Sequence, residues 1–227
     1  MSCHLGVQCT QQSLICRRVL SGVTITSPST LAEAVAVIHK TYSVPHVIIT
    51  SVQLPNMSSP PPSPGNTLTV VGSTTRSDGT PRLFRIDVPA FDFYFSGTGD
   101  MFAALTVARL REAVFAAGPD LRNTKSWVSS DDVKPTDLPL ARATLKVLES
   151  MHGVLEKTIE EKNAELAANP PKFSPGMSGE EKQKEENLRA RKAGEVRLVR
   201  NTRFLQNPVA KFQAKDWRKE DLPASLQ

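Results

Sequence analysis

The chain alternates between stretches with apolar residues at helical spacing and stretches rich in β-branched residues. Residues 30–42 have one apolar face, and Ser27 or Ser29 can cap a helix there. The apolar positions of that face are Leu31, Ala34, Val35 and Ile38. A longer helix is predicted over residues 140–168, with a stripe of Leu145, Leu148, Met151, Leu155 and Ile159. Residues 180–193 predict a third helix, which is polar on nearly every face and therefore exposed.

The strand predictions come from β-branched and alternating segments. Residues 45–51 form a short β-branched run after the first helix, which is typical of a buried strand in a parallel sheet. Residues 67–74 and 82–89 alternate, and Asp78-Gly79 between them predicts an antiparallel hairpin. Two further short strands are predicted near the end of the chain, at residues 196–199 and 209–214.

The stretch 93–105 has the pattern of a functional site. Its aromatic start runs into a Gly-Thr-Gly-Asp turn at residues 97–100, and an Ala-rich apolar segment follows. Two glycines let the backbone approach a ligand, and the amides and dipole at the start of the following helix attract anions, most often phosphate. A carboxylate repels phosphate, so Asp100 makes sense there if it takes a proton from the nucleophile that attacks the phosphate.

The same turn also has a purely structural interpretation. An acidic residue in the first turn of a helix is favoured by the helix dipole alone, so the four-residue motif does not decide the matter. The segment after it is apolar on most faces and is predicted to be a buried helix, which favours a functional turn. Thr50 and Ser51, at the end of a predicted strand, are further candidates for ligand contact, with ordinary strand-end polarity as the alternative.

Length and composition narrow the alternatives. The 227 residues suffice for one large domain or two small ones. The net charge is +5, and the basic residues are interleaved with acidic ones, which indicates a solvated surface rather than a nucleic-acid interface. The three cysteines lie in the first sixteen residues and complete no metal-binding pattern, which favours a reducing, cytosolic compartment. No apolar run reaches the length of a signal-peptide core or a membrane span, so no membrane partner is expected.

Two other groups of polar residues are interpreted as structural. Asp131-Asp132 is a solvated cluster or a helix start rather than a metal site, because no third ligand is in view. His152 lies beside the apolar stripe of the long helix and is interpreted as a packing residue.

Taken in order, these elements resemble the C-terminal part of the pyridoxal kinases, in the ribokinase-like superfamily. The sequence resembles the fungal members of that family. The matching stretches are residues 20–25, 44–51, 93–105, 144–159 and 207–214. The Gly-Thr-Gly-Asp turn is shared by the whole superfamily, whereas Thr50-Ser51 and the Phe95-Ser96 approach are typical of pyridoxal kinases. The resemblance implies an α/β, ribokinase-like three-layer sandwich with an incomplete, mostly parallel sheet.

The resemblance implies roles for the residues of the turn. Asp100 would deprotonate the 5′-hydroxymethyl group of pyridoxal, pyridoxine or pyridoxamine, the small-molecule substrates. The backbone N–H groups of Gly97, Thr98 and Gly99 would form an anion hole for the phosphoryl group in transfer.

The resemblance also implies nucleotide contacts and cofactors. Thr50 and Ser51 would contact the nucleotide phosphates, and Thr50 would also contact a potassium ion. Phe91, Asp92 and Phe93 would flank the adenosine. The implied cofactors are ATP, Mg²⁺ and K⁺, with the magnesium ligands unidentified, and a homodimer is consistent with the family.

The chain departs from the family at its start. Residues 1–19 do not match the segment that precedes the similar part in family members, and the βαβ units of the pyridoxal pocket are not found. We therefore expect an N-terminally truncated protein that does not phosphorylate pyridoxal alone at family rates. Its parts are an unmatched segment (1–19), a kinase-like domain (20–215) with a Pro-rich loop (56–66) and a charged excursion (170–195), and a tail (216–227).

Other functions stay compatible with the sequence. One is a ribokinase-like kinase acting on hydroxymethylpyrimidine or a sugar. Another is a nucleotide-binding module without catalysis. A nucleic-acid binder is the weakest alternative, because the basic residues of 182–203 alternate with glutamates.

Overall fold

The computed structural model describes residues 20–52, 54 and 67–226. The helices are α1 (Pro28–Tyr42), α2 (Thr98–Ala117), α3 (Pro119–Asn123), α4 (Pro139–Ala168), α5 (Gly179–Ala193) and α6 (Thr202–Gln206). The strands are β1 (His46–Val52), β2 (Thr67–Thr75), β3 (Pro81–Pro89) and β4 (Ala214–Asp216). The predictions for residues 1–19 and for the Pro-rich loop 56–66 lie outside the described part of the chain.

The described strands form one four-stranded sheet in the order β1-β2-β3-β4. The hairpin predicted at Asp78-Gly79 is confirmed, because β2 and β3 pair antiparallel along their whole length. The prediction of a mostly parallel sheet is wrong for these strands, since β1 and β4 also pair antiparallel with their neighbours. The β-branched run of β1 is buried because helices cover both faces of the sheet, and this burial carries no information about strand direction.

Helices on both faces give the predicted three-layer arrangement. Successive residues of β1 point to opposite layers, as in any strand. One layer contains α1 and the C-terminal segment, packed through Leu31, Val35, Val47, Ile49, Val71, Leu83 and Trp217. The other layer contains α2 and α4, packed through Ile48, Val70, Phe84, Ile86, Phe102, Leu110, Leu140 and Val147.

Helix α1 begins at Pro28, two residues before the predicted start, and its cap is Ser27, one of the two capping residues that the sequence predicts. The Ser27 hydroxyl accepts a hydrogen bond from the Thr30 amide at 3.2 Å, and the Thr30 hydroxyl accepts one from the Ser27 amide at 3.0 Å. This reciprocal cap satisfies amides that have no acceptor inside the helix.

Helix α2 is buried on one face only, so its predicted burial on most faces is wrong. The buried positions are Met101, Phe102, Thr106, Leu110 and Val114. On the other face Val107 is 48% exposed and Phe115 is 39% exposed. None of the described helices combines the length and apolarity that a membrane span needs.

The C-terminal third differs from the sequence prediction in three places. Residues 196–199 form no strand, because 196 and 197 are irregular, Leu198 is in a turn, and Val199 begins a 3₁₀ segment. The last strand begins only at Ala214, so residues 209–213 belong to no strand. Residues 216–226 are not a loose tail, because Trp217 is buried against the α1 layer and its indole N–H donates to the Asp221 carbonyl at 3.2 Å.

Two histidines fix the sheet to its neighbours in opposite tautomers. His46 Nε2 lies 2.8 Å from the Ser126 carbonyl oxygen, which can only accept, so Nε2 carries the proton and Nδ1 accepts from the Thr74 hydroxyl at 3.0 Å. His39 Nδ1 donates to the Val44 carbonyl at 2.7 Å, and its Nε2 accepts from a serine hydroxyl on β2. Burial lowers the pKa of both imidazoles, to about 4 for His46.

Acidification is therefore expected to destabilise the fold. A histidine in the unfolded chain has a pKa near 6.5. Between pH 6.5 and about 4, His46 is therefore protonated in the unfolded state but neutral in the native state. The stabilising contribution is complete above pH 6.5 and is lost as the pH falls, by at most about 1.4 kcal/mol per pH unit for His46. Urea unfolding at neutral pH and at about pH 5 measures the loss.

The matched control is His46→Gln, which keeps one donor and one acceptor but does not titrate. It should lose less stability on acidification than the unmodified chain. An equal loss in both proteins would show that His46 is not a source of the pH dependence.

Candidate functional site

A cavity of about 1420 Å³ opens between the end of β1, the loop before α2, the start of α2 and helix α4. It brings together all nine residues that the sequence singles out, which are Thr50, Ser51, Phe91, Asp92, Phe93, Gly97, Thr98, Gly99 and Asp100. Its remaining lining comes from β2 (Leu68, Val70), β3 (Val88, Pro89), the loop (Ala90, Tyr94, Phe95), α2 (Phe102) and α4 (Leu148, Met151, His152, Leu155).

The glycine turn sets the start of α2 at the cavity. Gly97 is the N-cap with φ 78°, a left-handed conformation that favours glycine, and a Cβ there would meet no atom within 4 Å. The conformation, rather than lack of space, is therefore what calls for glycine. The N-cap Gly97 has no side chain that could cap this helix, in contrast to Ser27 of α1, and the first turn of α2 lines the cavity.

Asp100 lies in the first turn of α2 and lines the same cavity. Its carboxylate is exposed and makes no hydrogen bond or ion pair with any residue that the structure describes. A carboxylate without a partner, beside a helix start that attracts anions, can accept a proton from a bound hydroxyl group.

A β-bulge places Thr50 and Ser51 in the lining. The register of β1 against β2 shifts between Ile49 and Val52, so the two residues leave the regular pairing. Ser51 has φ 57°, a strained conformation for a residue with a side chain, and such residues concentrate at functional sites. Sequence reasoning identifies both residues from their position at the strand end but does not predict the bulge.

Aromatic rings form one wall of the cavity. The Phe91 ring stacks on the imidazole of His152, with centroids 5.0 Å apart and planes at 23°. Phe95 meets Phe91 edge-on at 6.2 Å and Phe93 at 4.9 Å. A wall of this kind offers a flat apolar surface on which a heterocyclic ring can stack.

His152 is a site residue that the sequence does not identify. Its imidazole is half-buried, and its Nε2 lies 3.8 Å from a carboxylate oxygen of Glu156. Burial and the nearby Lys211 ammonium lower its pKa, while Glu156 acts in the opposite direction. The only signal in the sequence is its position one residue from the stripe of α4, and its stacking on Phe91 depends on contact between distant segments.

The charge of the lining is acidic. Asp92 and Asp100 line the cavity, and no lysine or arginine does so among the described residues. Within residues 20–52, 54 and 67–226, no group of three or more histidine, cysteine or acidic side chains is arranged to hold a metal ion.

Sequence comparison finds relatives among kinases. No protein-family model matches the chain. The Schizosaccharomyces pombe protein named "Putative pyridoxal kinase C18.10" is 31% identical over 142 residues, which are 62% of this chain and 37% of that protein. A second S. pombe protein, "Putative pyridoxal kinase C6F6.11c", is 28% identical over 142 residues, which are 63% of this chain and 39% of that protein.

Solved structures with the same fold are also pyridoxal kinases. The Leishmania donovani enzyme in complex with ADP and pyridoxamine has a TM-score of 0.53 at 22% identity and is matched over 89% of this chain and 49% of that one. Plasmodium falciparum PdxK with AMP-PNP and PL has a TM-score of 0.53 at 13% identity, and the match covers 90% of this chain and 48% of that one. The resemblance to pyridoxal kinases and the ribokinase-like α/β fold are thereby confirmed. The chain spans about half the length of these structures and under two fifths of the first relative.

Proposed function

We propose that the chain carries the phosphoryl-transfer site of a pyridoxal kinase. The reaction is the ATP-dependent phosphorylation of pyridoxal, pyridoxine or pyridoxamine at the 5′-hydroxymethyl group, which is salvage of vitamin B6 to pyridoxal 5′-phosphate. The observation that carries the proposal is the Asp100 carboxylate, which has no partner among the described residues and lies at the start of α2, inside a cavity with an aromatic wall. The relatives named as pyridoxal kinases support the choice of substrate.

Asp100 acts as the general base. The proton moves from the 5′-hydroxyl oxygen to its carboxylate, that oxygen forms a bond to the γ-phosphorus, and the bond from the γ-phosphorus to the β,γ-bridging oxygen breaks, so that ADP leaves. The backbone N–H groups of Gly97, Thr98 and Gly99 stabilise the charge on the phosphoryl oxygens during transfer.

The nucleotide occupies the rest of the cavity. Thr50 and Ser51, at the bulge of β1, contact its phosphates, and Phe91, Asp92 and Phe93 flank the adenosine. The apolar rings suit a purine face, and the polar strand end suits the phosphates.

The acidic lining fits a reaction that uses cations. Mg²⁺ keeps several waters and binds mainly to the phosphates, so it needs few oxygen ligands from the protein, and a cavity lined by carboxylates rather than by lysine or arginine among the described residues suits it. When bound, it neutralises charge on the phosphate oxygens. K⁺ would take oxygen ligands at Thr50. We also propose a cytoplasmic location and a homodimer, on the resemblance alone.

The second candidate function is a nucleotide-binding module without catalysis. It is favoured by one observation, namely that the aromatic wall and the helix start in the cavity suit the binding of a nucleotide without requiring a proton transfer. Titration with AMP-PNP and a coupled assay of pyridoxal-dependent ADP formation separate the two. Binding with turnover supports the kinase, and binding without turnover supports the module. Hydroxymethylpyrimidine and ribose, tested as competing acceptors, identify a different kinase of the superfamily.

Replacing Gly97 by alanine is expected to weaken AMP-PNP binding about tenfold, because a Cβ at positive φ turns the amides of the helix start away from the phosphates. The matched control is Gly79→Ala, since Gly79 also has positive φ (86°) and open space but lies in the β2–β3 turn. Both variants should lose about 1 kcal/mol of stability. Equal effects on binding would contradict a role of the Gly97 turn in holding phosphate.

A further inference from the structure

The charged helix α5 is exposed along most of its length, as predicted, and the segment that follows it attaches its C-terminal end to the rest of the protein. Arg197, just beyond it, donates to Glu161 of α4 at 3.0 Å and also forms an ion pair with Glu165. These hydrogen bonds raise the pKa of Arg197. The buried Asn201 amide donates to the Arg197 carbonyl at 3.0 Å. We call residues 170–195 the arm, and its C-terminal end is held on α4 by these contacts.

The arm reaches the wall of the cavity at Gly194. A Cβ on Gly194 would lie 2.3 Å from Phe93 Cζ and 2.4 Å from Phe93 Cε1. Gly194 has φ −92°, which any residue adopts, so what requires glycine here is the phenyl ring and not the backbone.

Two other side chains also contact the Phe93 ring, which is partly buried. The Lys162 ammonium of α4 lies 4.0 Å from the centroid of its ring, and Phe95 meets it edge-on at 4.9 Å. The position of the Phe93 ring in the lining is therefore set jointly by the loop before α2, by α4 and by the end of the arm.

We propose that the arm is a positioning element of the nucleotide site, and that Gly194 is the positioning residue through which it acts. The missing side chain at 194 admits the Phe93 ring, and the ring then presents its inner face to the adenosine. This inference rests on the proposed function, since it takes Phe93 to flank the nucleotide.

The test is AMP-PNP affinity in the Gly194→Ala variant of the full chain. The new methyl group mainly displaces the end of the Phe93 side chain, and the backbone carbonyl oxygen of Ala190, 3.1 Å away, has to give by only a few tenths of an ångström, so the fold is retained while the wall shifts. We expect the dissociation constant to rise about tenfold. The matched control is Gly179→Ala at the opposite end of α5, where a Cβ meets no atom within 4 Å, and its affinity should stay unchanged.

A double-mutant cycle separates positioning from general destabilisation. In a Phe93→Leu background the methyl group at 194 no longer meets a ring, so Gly194→Ala should have no further effect on affinity. A Gly194→Ala variant that unfolds more easily but binds AMP-PNP normally would overturn the proposal, as would additive effects in the cycle. If the unmodified chain does not bind AMP-PNP, the proposed function itself fails and this inference fails with it.

Discussion

Replacing Asp100 by asparagine is expected to lower the rate of pyridoxal phosphorylation about 1000-fold. Asparagine has the shape of aspartate but cannot take the proton from the attacking hydroxyl group. The carboxylate has no partner among the described residues, so its replacement leaves no buried group unsatisfied and should not disturb the fold. A coupled assay of ADP formation in any preparation that turns over pyridoxal measures the effect.

Binding provides a second measurement for the same variant. Asp100 repels the γ-phosphate, so Asp100→Asn should bind AMP-PNP at least as tightly as the unmodified chain. Asp120→Asn is the matched control, because Asp120 is likewise an exposed acid in the first turn of a helix but does not line the cavity. If the Asp100→Asn variant were fully active, Asp100 would not be the general base of the reaction.

The candidate site was largely predictable because its residues are close in sequence or lie at a strand end. The Gly97–Asp100 turn is a local motif, and its chemistry follows from helix geometry wherever the helix packs. Thr50 and Ser51 follow from their place after a buried run. His152 and Gly194 were not predictable in the same way, since their roles arise from contacts with Phe91 and Phe93, which are far away in sequence.

The direction of β1 shows why the sheet was harder to predict than its strands. The run from His46 to Val52 is apolar on both sides because α1 packs on one face and α2 with α4 on the other. A continuous apolar run indicates that both faces of the sheet are covered by helices. This arrangement is usual in parallel sheets but not confined to them. The pairing partner of the strand is decided by the chain path, and that information is not local.

The exposed face of α2 shows a related ambiguity. Alanines at 103, 104 and 108 suggest burial by their hydropathy, yet all three are exposed. Alanine is also the best helix former, so it occurs on exposed helix faces without any packing role. The large residues Met101, Phe102 and Leu110 were the better guide to the buried face.

The second large effect is expected at Phe84, where alanine should lower the free energy of unfolding by about 3–5 kcal/mol. Phe84 is fully buried on β3 in the layer that packs against α2 and α4. Its ring lies across Gly72 of β2, where a Cβ would be only 2.1 Å from Phe84 Cζ. Removing the ring leaves a cavity that Gly72 cannot fill, because glycine has no side chain. Urea unfolding measures the loss, with an unchanged m-value if only stability is altered.

Two further variants test whether the loss comes from that cavity. Phe115→Ala removes an identical ring that is 39% exposed at the end of α2, and it should cost less than about 1 kcal/mol. Gly72→Ala added to Phe84→Ala places a methyl group in the vacated space and should recover about 1 kcal/mol. If the double variant is no more stable than Phe84→Ala, the surrounding side chains have already collapsed into the space, and the cost reflects lost transfer energy rather than a persistent void.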